Sequence, residues 1–289
     1  TCTPCDYDVC ESCAEWKLLA AAMRPTVRRL LVDGAAPAAI SCSDLLADLR
    51  VDPSKHLLGS DIHAHVMRKE TALDAETCAV LRAAVDRERQ TKVDSVDGGT
   101  DHQLNLSVER LRALVGEEAA SGLCGLPSAF VRQIEAHGAA LGGVVEDLPH
   151  ELIVRRYAAH ERPWIAFHAD SAAVTVNVAL SADTGHEGGK LVAVANEEVM
   201  QIVREEGEAT VHDARLLHAV TRMTGGVRYS LILFFGRRRA VTNPAEAEMV
   251  RDGAHRTHPC TCVQRTCAPC MRMLATYACA RCMCVAGGL

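Results

Sequence analysis

The chain has 289 residues, 48% of them hydrophobic, and a formal charge of −6 at pH 7. This length provides for one sizeable catalytic core with small appendages. The acidic balance argues against a nucleic-acid-binding surface. No run of about 18 apolar residues is present, so no membrane span is predicted. No secretory signal peptide is recognisable, and a chain that begins at Thr1 is expected to be a fragment.

Cysteine is concentrated at the two ends of the chain. Four of the 14 cysteines lie in the first 13 residues, and seven lie between Cys260 and Cys284. The disulfide framework of a secreted enzyme would be spread more evenly. Terminal Cys-x2-Cys pairs are more typical of metal knuckles in a reducing compartment, which favours the cytoplasm or the nucleus.

The first 13 residues contain two closely spaced Cys-x2-Cys pairs, Cys2 with Cys5 and Cys10 with Cys13, separated by an Asp-Tyr-Asp. This segment resembles the middle of a ZZ-type zinc finger, in which each ion needs a further pair of ligands. The chain therefore contains half of such a module. Bound zinc and a disordered stub both remain open for residues 1–13.

Helices are predicted before the strand-rich region, with residues 14–72 read as a helical and loop linker. A helix from Ala14 to about Arg29 is interrupted near Pro25. A short helix is expected over residues 43–49. The segment 73–85 has helical periodicity with Asp74 as its N-cap. Ser107 is expected to cap a helix through residue 114, and Pro127 to begin one that runs to about residue 141.

Six to eight short strands are predicted between residues 151 and 235. Within this region His168 and Asp170 lie two residues apart, so an extended backbone directs both side chains to one face. His218 follows a β-rich spacer. Ten residues later Arg228 and Ser230 repeat the spacing of two inside an apolar strand.

These residue types describe a metal site with an anion beside it. Two imidazoles and one carboxylate are the ligand set that binds Fe(II) by one face and leaves the other positions open. A guanidinium fork and a hydroxyl suit a carboxylate. A lone His-x-Asp is more often a solvated turn. A solvated turn does not explain why the pair is followed by a β-rich spacer, a second histidine and an arginine with a serine in an apolar strand. Arg228, which shares a strand with the apolar run Leu231–Phe235, would be costly to bury without an anionic partner.

The segment from about residue 152 to 235 resembles the double-stranded β-helix core of the 2-oxoglutarate- and Fe(II)-dependent dioxygenases, closest to the prolyl 4-hydroxylase-like branch. The resemblance implies an α+β fold with a jelly-roll core at 152–235 inside a domain at 73–239, supported by N-terminal helices. It implies iron ligation by His168, Asp170 and His218. It also implies cosubstrate binding by the following residues: Arg228, Ser230, Tyr157 and Asn177. Many prolyl 4-hydroxylases carry lysine in place of Arg228, so the substrate class does not follow.

His212, close to His218 in sequence, is interpreted as a strand residue and not as a ligand. Two cysteine pairs in the tail, Cys267 with Cys270 and Cys279 with Cys282, are compatible with one four-thiolate zinc site. Residues 254–289 are therefore predicted to be a Cys/His-rich segment that binds zinc, with a floppy tail as the alternative.

The predicted function is oxidation of a substrate with O2, in which 2-oxoglutarate is converted to succinate and CO2 and ascorbate keeps the iron reduced. The substrate is a protein side chain of the prolyl type or a small molecule. The alternative is a non-catalytic zinc-knuckle interaction protein with an inactive dioxygenase-like core. The complete set of His168, Asp170, His218 and Arg228 favours the enzyme, since a decayed site usually loses one member.

Overall fold

The structure is a computed structural model, which describes residues 11–52, 55–58, 61–141 and 143–238. The cysteines on which the two zinc predictions rest fall outside this part of the chain, except for Cys13, whose side chain is not described. Both zinc sites therefore stay predictions. They concern Cys2, Cys5, Cys10 and Cys13 at one end and Cys267, Cys270, Cys279 and Cys282 at the other.

Four helices precede the sheet-rich part of the chain. Pro25 occupies the first turn of the second helix, where its missing N–H is tolerated, and this position explains the predicted interruption. The helices are α1 (Glu11–Ala22), α2 (Pro25–Leu31), α3 (Cys42–Leu49) and α4 (Ile62–His65).

Three further helices follow, α5 (Ala75–Glu88), α6 (Val108–Val115) and α7 (Glu117–Ala136). Both predicted caps are confirmed. The Asp74 carboxylate accepts the Thr77 backbone N–H at 2.7 Å, and the Ser107 hydroxyl oxygen accepts the Arg110 N–H at 3.1 Å.

The predicted helix start at Pro127 is wrong. Helix α7 begins ten residues earlier at Glu117, and Pro127 lies buried in its middle. A proline inside a helix removes one backbone hydrogen bond. Here the apolar ring belongs to a buried stripe at helical spacing, so packing outweighs the loss. That stripe consists of Ala120, Leu123, Pro127, Phe130 and Ile134.

Thirteen strands occur in the described residues. They are β1 (Val66–Lys69), β2 (Gln90–Val93), β3 (Thr100–Leu106), β4 (Gly143–Ala158), β5 (Ile165–His168), β6 (Val174–Ala179), β7 (Glu187–Gly188), β8 (Leu191–Ala195), β9 (Glu198–Ile202), β10 (Ala209–Asp213), β11 (Leu217–Val220), β12 (Met223–Gly225) and β13 (Val227–Arg238).

Two antiparallel sheets form the core. The larger has the order β1-β10-β6-β13-β4-β3-β2, and the smaller has the order β5-β11-β8-β9. Eight strands from β4 to β13, four in each sheet, pass between the two sheets along the chain, except that β8 and β9 form a hairpin within the smaller one. This is the double-stranded β-helix form of a jelly roll. The predicted α+β fold with this core is thus confirmed. The predicted count of six to eight strands is too low, because the short pair β7 and β12 adds two.

Helices cover the outer faces of both sheets. Leu81, Leu111 and Phe130 from α5, α6 and α7 pack in one cluster with Val176 and Leu233 of the larger sheet. The smaller sheet is covered in the same way by buried residues of α2 and α3, namely Leu30, Leu31 and Leu45. The inner faces of the sheets are therefore the surfaces that can line a site. Among the described residues, no helix is long and apolar enough to cross a membrane.

Gly207 joins the helical layer to the larger sheet and gives a stability prediction. Its φ is +81°, and a Cβ at this position would lie 2.0 Å from the Leu73 carbonyl oxygen. Gly98 has a similar φ of +75° but no atom within 4 Å of the same position. Gly98→Ala should therefore lower the free energy of unfolding by only about 1–2 kcal/mol, through the strain of a left-handed backbone. Gly207→Ala should lower the free energy of unfolding clearly more, as measured by urea unfolding. Equal decreases in the two variants would contradict the close approach of Gly207 to the Leu73 carbonyl oxygen.

Candidate metal centre and anion pocket

Two histidines face each other across neighbouring strands of the smaller sheet. His168 ends β5, and His218 lies directly opposite it on β11. Their ring centroids are 4.3 Å apart. Residues 50 positions apart in the sequence are thus brought together by strand pairing.

Asp170 completes a group of three side chains. It lies just beyond the end of β5, and its Oδ1 is 3.5 Å from His168 Nε2 and 4.0 Å from His218 Nε2. One ligand atom from each residue lies within 4.8 Å of the others. The structure therefore brings together the three residues predicted as ligands. It differs in one detail, since Asp170 follows the strand and does not extend it.

Backbone and side-chain partners orient all three groups. His168 Nδ1 lies 2.9 Å from the Ala166 carbonyl oxygen, and His218 Nδ1 lies 3.0 Å from that of Leu216. An imidazole that donates Nδ1–H to a carbonyl presents an unprotonated Nε2. The Thr175 hydroxyl donates to Asp170 Oδ2. Both imidazoles can thus offer Nε2 to a metal, while Thr175 fixes the carboxylate.

The charge states at this centre suit metal binding. Burial, reinforced by the neighbouring His218 ring, lowers the pKa of His168 to about 4. Burial opposes ionisation of Asp170, but the surrounding histidines and the Thr175 hydroxyl outweigh it and lower the pKa of Asp170 to about 2. At neutral pH the centre thus offers a neutral imidazole beside a carboxylate, which are the forms that coordinate a metal.

His212 lies on β10, as interpreted from the sequence, but its ring approaches the same centre. It is buried, with Nε2 3.8 Å from Asp170 Oδ2 and its centroid 4.9 Å from that of His218. Its ligand atom is not within the group of three that lie closest together. We therefore retain the interpretation of His212 as a non-ligand neighbour.

The other end of the pocket lies in the larger sheet. Arg228 and Ser230 project from one face of β13 and are 1% and 0% exposed. Tyr157 is the cross-strand neighbour of Arg228 on β4, and the guanidinium carbon lies 4.8 Å from the Tyr157 ring centroid. Arg228 Nε and Nη2 and the Ser230 hydroxyl have no hydrogen-bond partner. A buried arginine with open donors marks an anion-binding position.

Asn177 connects this end of the pocket to an arginine that the sequence analysis missed. Its Oδ1 accepts a 2.8 Å hydrogen bond from Arg204 Nη1, and Arg204 is 1% exposed. Arg204 stands in a charged turn sequence that is typical of a solvated loop. Thr175 was also missed, although Thr175 and Asn177 are polar residues two apart in an apolar strand, and that signal was available.

A single inner pocket connects the metal group with the anion end. The candidate ligands, Arg228, Tyr157 and Asn177 line it together with Ile165, Leu191, Val220 and Ile232. A second cavity of about 280 Å³, here named the outer cavity, also borders His168 and Asp170. The outer cavity is lined in part by Asp94, Asp101, Gln103 and Arg155.

Buried ion pairs form the wall of this outer cavity. Asp101 is 2.7 Å from both Arg155 Nη2 and Arg162 Nε, and Arg162 Nη1 is 2.8 Å from Asp97. Burial raises the pKa of Asp101 to about 7 despite the nearby arginines. No sequence motif indicated this cluster, because its members come from two distant segments of the chain, residues 97–101 and 155–162.

No protein-family model and no curated protein sequence matches the chain. Solved structures do resemble it. A prolyl-4-hydroxylase from Pseudomonas putida is 21% identical with a TM-score of 0.44, over 63% of this chain and 97% of that one. A prolyl hydroxylase from Trichoplax adhaerens, in complex with a hypoxia inducible factor peptide, is 15% identical with a TM-score of 0.47, over 68% and 93%.

The Thr175 hydroxyl gives a prediction for metal affinity. Thr175→Val removes the donor to Asp170 Oδ2 while preserving shape. Loss of such a supporting hydrogen bond typically weakens metal affinity by about 10- to 100-fold. We expect this loss in a Co(II) titration, with Thr91→Val, on the exposed strand β2, as the control. Wild-type affinity in Thr175→Val would show that Thr175 does not support the ligand.

The buried histidines predict a pH dependence of the metal-free protein. Burial and the His218 ring lower the pKa of His168 and of His212 to about 4, below the value of about 6.5 for an unfolded chain. Between these values the unfolded state binds more protons. The free energy of unfolding should therefore fall as the pH is lowered from about 6.5 towards 4.

Urea unfolding at several pH values measures this slope. His212→Gln should reduce this slope, because it removes one of the two histidines whose pKa is lowered to about 4. His137→Gln, at an exposed position, is the matched control and should retain it. An unchanged slope in His212→Gln would contradict the prediction for this residue.

Proposed function

We propose that the chain is an Fe(II)- and 2-oxoglutarate-dependent dioxygenase. It would hydroxylate a protein side chain, of the prolyl type, or a small molecule, with release of succinate and CO2. One observation carries the proposal. Arg228 is buried with two unpartnered nitrogen donors in the same pocket as His168, Asp170 and His218. A metal site alone would not require this arginine.

The donor set fits iron. Two imidazole nitrogens and one carboxylate oxygen converge, each supported by a partner that directs it. Structural zinc sites usually have four protein ligands in a closed tetrahedron. Three ligands of this composition leave positions free for other molecules and are typical of non-haem Fe(II) oxygenases.

The anion end fits the distal carboxylate of 2-oxoglutarate. Arg228 offers Nε and Nη2, and Ser230 offers its hydroxyl, all without protein partners. Leaving a buried guanidinium unpaired is costly, so a bound carboxylate would stabilise this part of the fold. The Tyr157 ring against the guanidinium restricts its plane. The proposed cosubstrate residues Tyr157 and Asn177 would thus act beside Arg228 and Ser230.

Iron and 2-oxoglutarate, once bound, supply the oxidising chemistry with O2. The contribution of the chain is to hold and to orient. His168 and His218 present Nε2 because their Nδ1 atoms face carbonyl oxygens. Arg228 aligns the cosubstrate from the opposite sheet. Apolar side chains around the pocket exclude water from the reacting groups, among them Ile165, Leu191, Val220 and Ile232.

The outer cavity is the proposed substrate position. Its volume of about 280 Å³ suits one amino-acid side chain or a small molecule, and it borders His168 and Asp170 directly. Its polar wall, with Asp94, Asp101 and Gln103, offers hydrogen-bonding groups to a polar substrate. The non-catalytic interaction protein remains the second candidate, to be separated by the next experiment.

Anaerobic titration of the apoprotein with Fe(II) and 2-oxoglutarate tests the proposal. The chelate of both should give a weak visible charge-transfer band. Truncation of one partner in a buried charge pair costs about 2 kcal/mol or more, or roughly 30-fold in affinity. Arg228→Ala should therefore raise the Kd for 2-oxoglutarate by at least about 30-fold.

Arg82→Ala is the control. Arg82 pairs with Glu206 outside the inner pocket and should leave the band unchanged. Absence of any band from folded, metal-loaded wild type would reject the dioxygenase and place the interaction protein first.

A further inference from the structure

Arg204 is a buried arginine with no assigned role. It follows strand β9, and its side chain reaches Asn177, which lines the inner pocket beside Arg228. Only Nη1 makes this hydrogen bond; Nε has no partner. An arginine that is 1% exposed with an open donor is costly unless something compensates its charge.

The charged groups around Arg204 do not balance. Asp183 faces both arginines electrostatically, and its Oδ2 accepts the Arg204 backbone N–H at 3.3 Å. Glu208 is also near, but it is neutralised by Arg68, whose Nη2 lies 2.8 Å from Glu208 Oε2. Arg204 and Arg228 thus contribute two positive charges against one negative charge from Asp183, and Lys190, whose Nζ donates to the Asp183 backbone carbonyl, adds a third. The surplus is positive, which suits a bound carboxylate.

The remaining charges near Arg228 do not remove this surplus. Arg155 and Arg162 are balanced within a separate cluster by Asp94, Asp97 and Asp101. His186 Nε2 lies 3.8 Å from Asp183 Oδ1, and burial lowers the pKa of His186, so it is neutral at pH 7. Arg204 therefore adds to the positive charge around Asp183 and Arg228.

The titration of Arg204 agrees with this account. Burial, followed by repulsion from Arg228, lowers the pKa of Arg204 to about 9. Arg204 therefore keeps its charge at neutral pH, although burial and the neighbouring Arg228 make that charge unfavourable. A carboxylate bound beside Arg228 would relieve this repulsion.

We propose that Arg204 is a positioning and specificity residue of the anion pocket: it fixes Asn177 and adds to the net positive charge that selects a 2-oxo acid with a distal carboxylate. The inference rests on the proposed function. Arg204 is thus a second guanidinium beside Arg228 and Ser230. It acts on the distal carboxylate of the cosubstrate and not on its metal-chelating end.

A comparison of two 2-oxo acids tests this role. 2-Oxoglutarate and 2-oxopentanoate share a five-carbon chain and the metal-chelating end, but only the first has a distal carboxylate. Binding to the Fe(II)-loaded protein is measured without oxygen by calorimetry and by the chelate band. Arg204→Gln should raise the Kd for 2-oxoglutarate about tenfold, while the Kd for 2-oxopentanoate changes by less than about twofold.

Two further variants control for structural effects. Arg204→Lys keeps the charge and should retain part of the preference for 2-oxoglutarate. The same comparison of the two ligands is made with Arg204→Lys if Arg204→Gln does not fold. Arg82→Gln is the matched control, since Arg82 bonds Glu206 and the Leu180 carbonyl close to Arg204 in the chain, and not the pocket residue Asn177. Its ratio of the two dissociation constants should equal that of wild type.

The outcomes separate the two proposals. If wild type binds 2-oxoglutarate and neither Arg204 variant changes the ratio of the two constants, Arg204 has no role in selection and the inference is overturned alone. Equal weakening of both ligands would also overturn it, because a structural role would affect both. If folded, metal-loaded wild type does not bind 2-oxoglutarate, the proposed function fails and the inference fails with it.

Discussion

The site depends on positive charge buried inside an apolar barrel. Arg228 is placed by β13, which pairs with β6 on one side and β4 on the other, so its side chain cannot reach solvent. A guanidinium in that position must be compensated, and the protein leaves several of its donors open. The buried charge of Arg228 therefore destabilises the barrel until an anion binds beside it. This requirement links the fold to its proposed cosubstrate more directly than the ligand triad does.

The two ends of the proposed site come from different sheets. The smaller sheet provides His168 and His218 from paired strands, with Asp170 directly after β5. The larger sheet provides Arg228 and Tyr157, which are paired in register. A molecule that spans the pocket would thus contact both sheets. Because sheet packing fixes the separation, the length of that molecule is selected by the fold itself. Helices on both outer faces hold the sheets and leave the inner faces free.

Much of the fold was predictable, because its signals are local. The caps at Asp74 and Ser107 act within three residues, and period-two and period-3.6 patterns distinguish strands from helices. The error at Pro127 shows the limit of such signals. Proline usually opens a helix, but burial of its ring against the sheet allows it to lie in the middle of α7. The stabilisation that offsets the proline comes from tertiary packing, and the residue type at position 127 does not indicate it.

The sequence by itself determined which groups could coordinate a metal and bind an anion. The spacing of His168 and Asp170, with the improbable Arg228 in an apolar strand, was sufficient to nominate them. Only the tertiary structure decided the neighbours that give these groups their properties. Arg204 meets Asn177 from 27 residues away, and Arg162 reaches Asp97 from 65 residues away. Such contacts depend on strand register and sheet packing, so a linear pattern that records only local spacing does not contain them.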